Sequence, residues 1–280
     1  MPSNAQVIDI APGLWIWRLA HPGWKEGVDW QRVVTCVCVD AGQERWLLDP
    51  LLPPEDATEV WDRLARRAPT AVAIIIPDHL RETATDRKTW SIDAVVDRYG
   101  ARAFGPRVWD PDQGPPKSAV HTIRPGDELP GGLRALRSPR GNEETPLWLP
   151  EQRALVVGDT LTERRGVLRV WMSPTHEERA LPDLRAILDL GVERVVISHG
   201  EPVHTRDELA RALELPPWPA SSLHIAAYRG FLDQIRRRVD AGADLMARDE
   251  EYNKTPVEWA EMGGHQEVID YLKSVARGST

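Results

Sequence analysis

Cysteine is scarce in this chain: Cys36 and Cys38 are the only two among 280 residues. They stand two apart in the strand-like run Val33 to Val39, where side chains at that spacing share a face. The expected state is a buried apolar pair, not a disulfide. Long apolar runs are missing as well. The longest, Ala71 to Ile76, falls far short of the ~20 residues of a membrane helix. Met1 to Asp9 has neither the basic start nor the apolar stretch of a signal peptide, so the expected location is the cytoplasm, with no membrane partner. Basic charge is in deficit, 35 Lys and Arg against 43 Asp and Glu, for a net charge of -8. The densest basic cluster, Arg236-Arg237-Arg238, falls inside an amphipathic helical pattern. A protein that holds phosphates by counterion release needs more than that, so nucleic acid is not an expected partner. No Gly-rich phosphate loop, nucleophile elbow or cysteine nucleophile signature occurs, which removes nucleotide hydrolysis and serine-type hydrolysis as leading readings. Phe and Tyr are few, 2 and 4, beside 12 Trp spread from Trp15 to Trp259. That spread points to ring packing throughout the molecule and not to one aromatic platform.

What remains is an ordinary globular composition, 41% hydrophobic and 28% charged, with an organised pattern. Val7 to Ile10, Leu14 to Arg18, Val33 to Val39 and Arg45 to Leu48 are strand-like and separated by turns, which predicts a β-meander. Helical spacing over Asp56 to Arg67, a buried strand over Ala71 to Ile76, a helix over Ser91 to Tyr99 and an extended Arg102 to Phe104 then give βαβ order. A second set follows: strands over Gly132 to Leu136, Pro146 to Leu149 and Ala154 to Val157, a helix over Glu177 to Leu190 and a last buried strand over Val192 to Ile197. Two β-rich halves, each flanked by helices, predict an α/β class with a layered sandwich.

The last 60 or so residues carry a repeat of 34 residues. Ser222-Leu223-His224-Ile225-Ala226-Ala227 with Gly230 recurs as Pro256-Val257-Glu258-Trp259-Ala260-Glu261 with Gly264, and Ala241-Gly242-Ala243-Asp244 lies between the copies. With Thr255-Pro256 opening a first helix, the segment resembles the ankyrin repeat. The division this implies is a domain over residues 1–215 and a small all-α ankyrin segment of about two repeats over residues 216–280. Two repeats are fewer than the three or so that stack stably alone, so the segment is expected to lean on the preceding domain. Leu215-Pro216-Pro217-Trp218-Pro219 would be the stiff connector.

Reactive groups in layered folds collect where buried strands end. Four places qualify: Asp49, Asp78-His79, Gly158-Asp159 and His199-Gly200. Over roughly residues 5 to 205, their order and spacing resemble the metallo-β-lactamase fold superfamily. The motifs are Leu48-Asp49-Pro50, the polar turn at Pro77, Leu149-Pro150-Glu151 leading to Val157-Gly158-Asp159-Thr160, and Ser198-His199-Gly200-Glu201-Pro202. The resemblance implies a metallo-β-lactamase-like αβ/βα sandwich. It also implies one or two zinc or iron ions held by a His-x-His-x-Asp-His cluster, a mid-chain His, a bridging Asp and a late His.

The chain departs from that ligand pattern. Ile76, Asp78, Leu80 and Arg81 occupy the four cluster positions, and Ser138 to Glu144 carries no histidine. Asp159 and His199 match, as catalytic residues if the protein is an enzyme. A metal site would be drawn from Asp78, His79, Asp159 and His199. No cofactor is expected, or zinc or iron if the site survives. A second reading makes His79, Arg81, Arg140 and His199 a positive pocket for a small anionic ligand; a third makes Arg81 or Arg140 an internal ion pair with Asp159. The functional expectation is a degenerate, non-hydrolytic protein that binds a small anionic molecule, or a protein partner through the ankyrin face. The alternatives are a hydrolase of an ester, thioester or lactone with one weakly held metal, and an ankyrin interaction module on an inert scaffold. Among the other histidines, His176 is expected to start a helix with a Thr175 and Glu178 capping box, His224 and His265 to serve the repeat, and His21 and His121 to lie in turns without a partner pattern.

Overall fold

The computed structural model describes residues 5–26, 30–141 and 144–278. Met1 to Asn4, and Asn142 and Glu143 of the segment without a histidine, lie outside the described residues. Among those described, the meander is β1 (Gln6–Ala11), β2 (Leu14–Ala20), β3 (Val33–Ala41) and β4 (Glu44–Leu48), paired antiparallel. Helix α1 (Thr58–Arg66) then leads to β5 (Ala71–Ala73), and α2 (Ser91–Tyr99) to β6 (Arg102–Gly105) and β7 (Val120–Thr122). Strands β4 to β7 run parallel, completing a sheet in the order β1-β2-β3-β4-β5-β6-β7.

The second sheet is built from β8 (Glu128–Leu129), β9 (Leu133–Ala135), β10 (Leu147–Leu149), β11 (Ala154–Val156), β14 (Arg194–Val196) and β15 (Val203–Thr205), in the order β15-β14-β11-β10-β9-β8. Between β11 and β14 the chain forms the hairpin of β12 (Leu161–Arg164) and β13 (Val167–Val170), followed by α3 (Leu181–Leu188). Helix α4 (Arg206–Ala212) follows β15.

Strand periodicity explains the layering. Side chains alternate across a strand, so Leu14, Ile16, Val37, Val39, Trp46 and Leu48 face inward and meet Leu133, Leu147, Leu149 and Val156 of the second sheet. Their neighbours Trp15, Trp17, Cys36, Cys38 and Leu47 face the other way and pack on Val60 and Leu64 of α1 and Ile92 and Val95 of α2. Both cysteines are free and buried. On the outer face of the second sheet, Leu155, Val157, Val195 and Ile197 pack on Leu184 and Ile187 of α3 and Leu209 of α4. Helix, sheet, sheet, helix is the result. No helix among the described residues is long and apolar enough to cross a membrane.

Strands β7, β8, β12, β13 and β15 and helix α4 have no counterpart in the sequence expectation, and two expected elements take a different form. The run Ala71 to Ile76 pairs as a strand only to Ala73. Beyond it the Ile75 N–H is taken by the Asp49 carboxylate at 2.7 Å and its carbonyl by Thr145 N–H at 2.6 Å, so the ladder stops. Pro77, without an N–H and with φ fixed, then turns the chain through one 3-10 turn, Pro77–His79. The second difference is the helix start at His176, where the capping box does not form. Thr175 Oγ1 pairs with Ser173 Oγ at 3.2 Å, Glu178 is claimed by Arg238, and the first turn, His176–Ala180, is π-helical.

Residues beyond 215 form α5 (Ser222–Tyr228), α6 (Leu232–Asp240), α7 (Pro256–Gly263) and α8 (Gln266–Gly278), with α5 against α6 and α7, and α7 against α8. Their apolar faces share a core of Leu223, Ala226, Ile235, Trp259, Val268 and Leu272. His224 fixes the intervening turn, its Nε2 lying 3.0 Å from Ala247 O and 3.1 Å from Lys254 O. These helices are tied to the preceding chain. Trp218 N–H donates to Val170 O and Met172 N–H to Trp218 O, both at 2.8 Å, while Arg238 bonds Pro174 O and Glu178. Thr255 and Glu258 form a reciprocal capping box at the start of α7. Thr255→Ala leaves its helix-start N–H without that acceptor and is expected to cost about 1 kcal/mol. A urea midpoint unchanged from wild type would show that the cap contributes nothing.

Candidate metal centre

Four strand ends converge on one cleft. Asp49 follows β4 in the left-handed region at φ 46°, which a short polar side chain tolerates. That turn brings its Oδ2 to 2.6 Å from His79 Nδ1 while Oδ1 holds Ile75 N–H. His79 is thereby oriented, 4% exposed, with Nε2 turned toward Asp159. Asp159 follows β11 past Gly158, where a Cβ would come within 2.9 Å of Ile76 Cγ2 and 3.4 Å of His79 Cε1. Glycine there allows the Asp159 turn to approach His79. His199 follows β14, which runs parallel beside β11, so both residues leave the sheet at the same end. A bridge between Val34 and His199, with Thr35 N–H on Ser198 O at 3.0 Å, fastens this turn to β3 of the first sheet.

His79 Nε2 lies 3.3 Å and His199 Nε2 3.6 Å from Asp159 Oδ1. Ligand atoms of these three residues all fall within 4.8 Å of one another. His79 Nε2 is thus in ion-pair reach of Asp159 without a well-formed hydrogen bond, and His199 Nδ1, on the far side of its ring from Asp159, is buried without a hydrogen-bond partner among the described residues. Tetrahedral ligands at 2.0–2.1 Å from zinc sit about 3.3 Å apart, so the spacing of each histidine from Asp159 suits one such ion. The carboxylate on the far nitrogen of His79 suits it too, since metal-bound histidines commonly donate their other N–H to such a group. Two histidines and one carboxylate therefore fit a single divalent metal.

Without a metal, the same three groups hold one another's charges. Burial and Arg81 oppose charge on His79, but Asp49 and Asp159 outweigh them and push it up to about 9. Burial likewise opposes the Asp159 carboxylate, while His79, His199 and Arg140 hold it well below the usual carboxylate range. Burial pushes His199 down to about 3 despite Asp159, leaving a neutral ring. Without a metal the cluster is thus an imidazolium, a carboxylate and a neutral imidazole.

Asp78 stands exposed on the cleft wall, outside this cluster, its pKa raised by partial burial and by Asp159. Arg81 and Arg140 line the cleft, but neither forms an ion pair with the Asp159 carboxylate. Arg81 Nη1 donates to Asp49 O at 2.6 Å and Thr35 O at 3.2 Å, and Arg140 Nη1 to the Asp159 backbone carbonyl at 3.0 Å. Backbone carbonyls thus take one nitrogen of each guanidinium group. His21 also lines the cleft, edge-on to Trp30 at 5.2 Å, with burial and Arg81 pushing it down to about 4. The cleft has a volume of about 690 Å³ and includes the rings of Trp30, Trp90 and Trp171.

Glu144 has no counterpart in the sequence expectation. It is 1% exposed and accepts Gly158 N–H at 2.9 Å and Thr160 Oγ1–H at 2.8 Å, bracketing Asp159. Burial and the Asp159 charge raise it to about 7, against Arg140 and these two hydrogen bonds. Between the ordinary value of 4.5 and about 7, the folded chain keeps a proton that the unfolded chain has released. Its stabilising contribution is therefore complete at low pH and lost as pH rises through the folded value, on the order of 3 kcal/mol across the window. Glu144→Gln should flatten this part of the stability profile. Urea midpoints of both proteins at about pH 5 and about pH 8 test it; parallel profiles would remove Glu144 as the titrating group.

No protein-family model matches the sequence, and no curated protein sequence matches it. Solved structures do. A metallo-β-lactamase from Pontibacter korlensis shares 18% identity at a TM-score of 0.53, over 76% of this chain and 98% of that one. The metallo-β-lactamase FIM-1 from Pseudomonas aeruginosa in its mono-zinc form gives 14% and 0.52, over 75% and 95%. A metallo-β-lactamase family protein from Thermus thermophilus gives 17% and 0.50, over 95% and 94%. The fold of this chain is the metallo-β-lactamase fold.

Proposed function

We propose that His79, Asp159 and His199 hold one zinc or iron ion and that the protein is a metal-dependent hydrolase of a small ester, thioester or lactone. The observation that carries this reading is the convergence of His79, Asp159 and His199, whose ligand atoms lie within 4.8 Å of one another while Asp49 holds the other ring nitrogen of His79. A bound ion of this kind supplies Lewis acidity and makes hydroxide available at neutral pH. The protein supplies position. Asp49 would keep the Nδ1 proton of His79, so that Nε2 could act as a donor atom once a metal displaces its proton. Glu144 accepts the Gly158 N–H and the Thr160 hydroxyl on either side of Asp159, and Arg140 donates to the Asp159 carbonyl. The Trp30 ring, 5.6 Å from that of His199, helps to keep water off the histidine.

The set is degenerate relative to the superfamily pattern, with one carboxylate and two histidines in place of the full cluster. The helices of residues 216–280 are read as two ankyrin-like repeats docked on a catalytic domain of residues 1–215. A second reading, non-hydrolytic binding of an anion, is favoured by Arg81 Nη2, which is buried without a partner among the described residues. Zinc, iron and manganese quantified per chain, on protein purified without chelator or affinity metal, separate the two. Near one ion per chain, with ester, thioester or lactone turnover lost on chelation and restored by metal, is the expected result. A metal content near zero that zinc soaking does not change overturns the metal reading, and stoichiometric metal without turnover leaves the anion-binding one.

A further inference from the structure

The cleft is not built by the sandwich alone. Arg229, which caps the C-terminal end of α5, is among its lining residues. Its guanidinium is exposed and makes no ion pair or hydrogen bond with the described residues. The platform beneath it is fixed. Ser222 of the same helix donates to Glu177 at 2.8 Å, and Trp218 packs edge-on against the cleft residue Trp171 at 5.1 Å. The helix end that carries Arg229 is therefore docked on the sandwich, and the side chain reaches the cleft from it.

Two further cations share these walls. Arg81, 3% exposed, leaves Nη2 unpartnered after its Nη1 bonds, and the Arg140 guanidinium lies 5.8 Å from the Trp171 ring centroid. Asp78, Glu82 and Asp159 are the carboxylates on the same walls, and Asp159 is enclosed by His79 and His199. A divalent ion on that cluster leaves the cleft with excess positive charge. Planar guanidinium groups bind carboxylates with charge-assisted, often bidentate hydrogen bonds, and flat Trp faces favour a planar apolar body.

We propose that the C-terminal helical segment completes the substrate site, with Arg229 anchoring the carboxylate of a planar, aromatic-bodied acid whose scissile bond faces the metal cluster. The proposal rests on the cleft being the working site, and it deepens that reading by naming the substrate class. Arg229 is a specificity-determining residue on this account.

Benzoate and its neutral isostere benzamide are suitable probes, titrated by intrinsic Trp fluorescence against chelated and zinc-loaded protein, with zinc per chain measured on the same preparations. Benzoate is expected to bind the chelated protein at least about tenfold more tightly than benzamide does. Arg229→Gln should weaken benzoate by about tenfold and leave benzamide unchanged, while Arg229→Lys should recover most of the loss. Equal affinities for the two probes, no benzoate binding up to about 20 mM, or an Arg229→Gln variant indistinguishable from wild type would each overturn the proposal. Arg229-dependent benzoate binding in a protein that takes up no zinc would uphold it and defeat the metal reading. Stoichiometric zinc with no effect of Arg229 would do the reverse.

Discussion

Asp159→Ala should lose metal affinity by at least about 100-fold, since even an outer partner of a metal ligand is worth 10- to 100-fold. Asp159 Oδ1 is the atom that both histidines approach, at 3.3 and 3.6 Å, so its removal takes away the one anion of the cluster. What remains is a buried His79 with Arg81 and Arg140 close by, an environment that repels a dication. Asp78→Ala is the matched control. Asp78 lies on the same cleft wall but outside the cluster, so its loss should change zinc affinity by less than about tenfold. Competition titration with a chromophoric chelator measures both variants. Equal losses would place Asp78 in the coordination sphere and remove the geometric basis for the His79, Asp159 and His199 site.

Trp46→Ala should destabilise the fold by about 3–5 kcal/mol, the range for deleting a large buried ring. Trp46 is 0% exposed and sits on β4, facing the second sheet. Its ring lies 4.7 Å from that of Phe104, and Nε1–H donates to Pro130 O at 3.0 Å. Truncation opens a cavity between the sheets and leaves that carbonyl without its donor, two costs that act together. A urea titration should show a lower midpoint with an unchanged slope, because the cooperative unit is the same. A loss below about 1 kcal/mol would mean that the sheets close over the cavity.

Alternation carried most of the fold. Leu14 and Ile16 on one face of β2, with Trp15 and Trp17 on the other, mark a strand buried on both sides, and that is where the two-sheet packing begins. The β12–β13 hairpin was hidden because its turn is Arg165-Gly166, both at positive φ, 55° and 80°. Asn-Gly or Asp-Gly would have announced such a turn; Arg in the left-handed region gives no local signal. Strands β14 and β15 pair over three residues each, too few for periodicity to mark their ends.

The site was legible in part. Asp159, His79 and His199 each follow an apolar strand and carry metal-binding atoms, so position and chemistry coincide. What the sequence could not reveal was mutual distance: Asp49 reaches His79 across 30 residues, and Glu144 reaches Gly158 across 14. Glu144 also matches no template, because a buried carboxylate that takes a backbone N–H and a hydroxyl looks in sequence like any surface glutamate. The sequence also could not show that backbone carbonyls of Asp49, Thr35 and Asp159 would take the hydrogen bonds of Arg81 and Arg140.

Asp159 and His199 ride on neighbouring parallel strands of one sheet, whereas His79 arrives from the other. An ion shared by all three would rivet the two halves of the sandwich across their seam. Its binding free energy would then count toward holding the sheets together, growing with metal concentration as any ligand specific to the folded state requires. Mechanical slack between the sheets would register first as a change in grip on the ion, long before the chain unfolds.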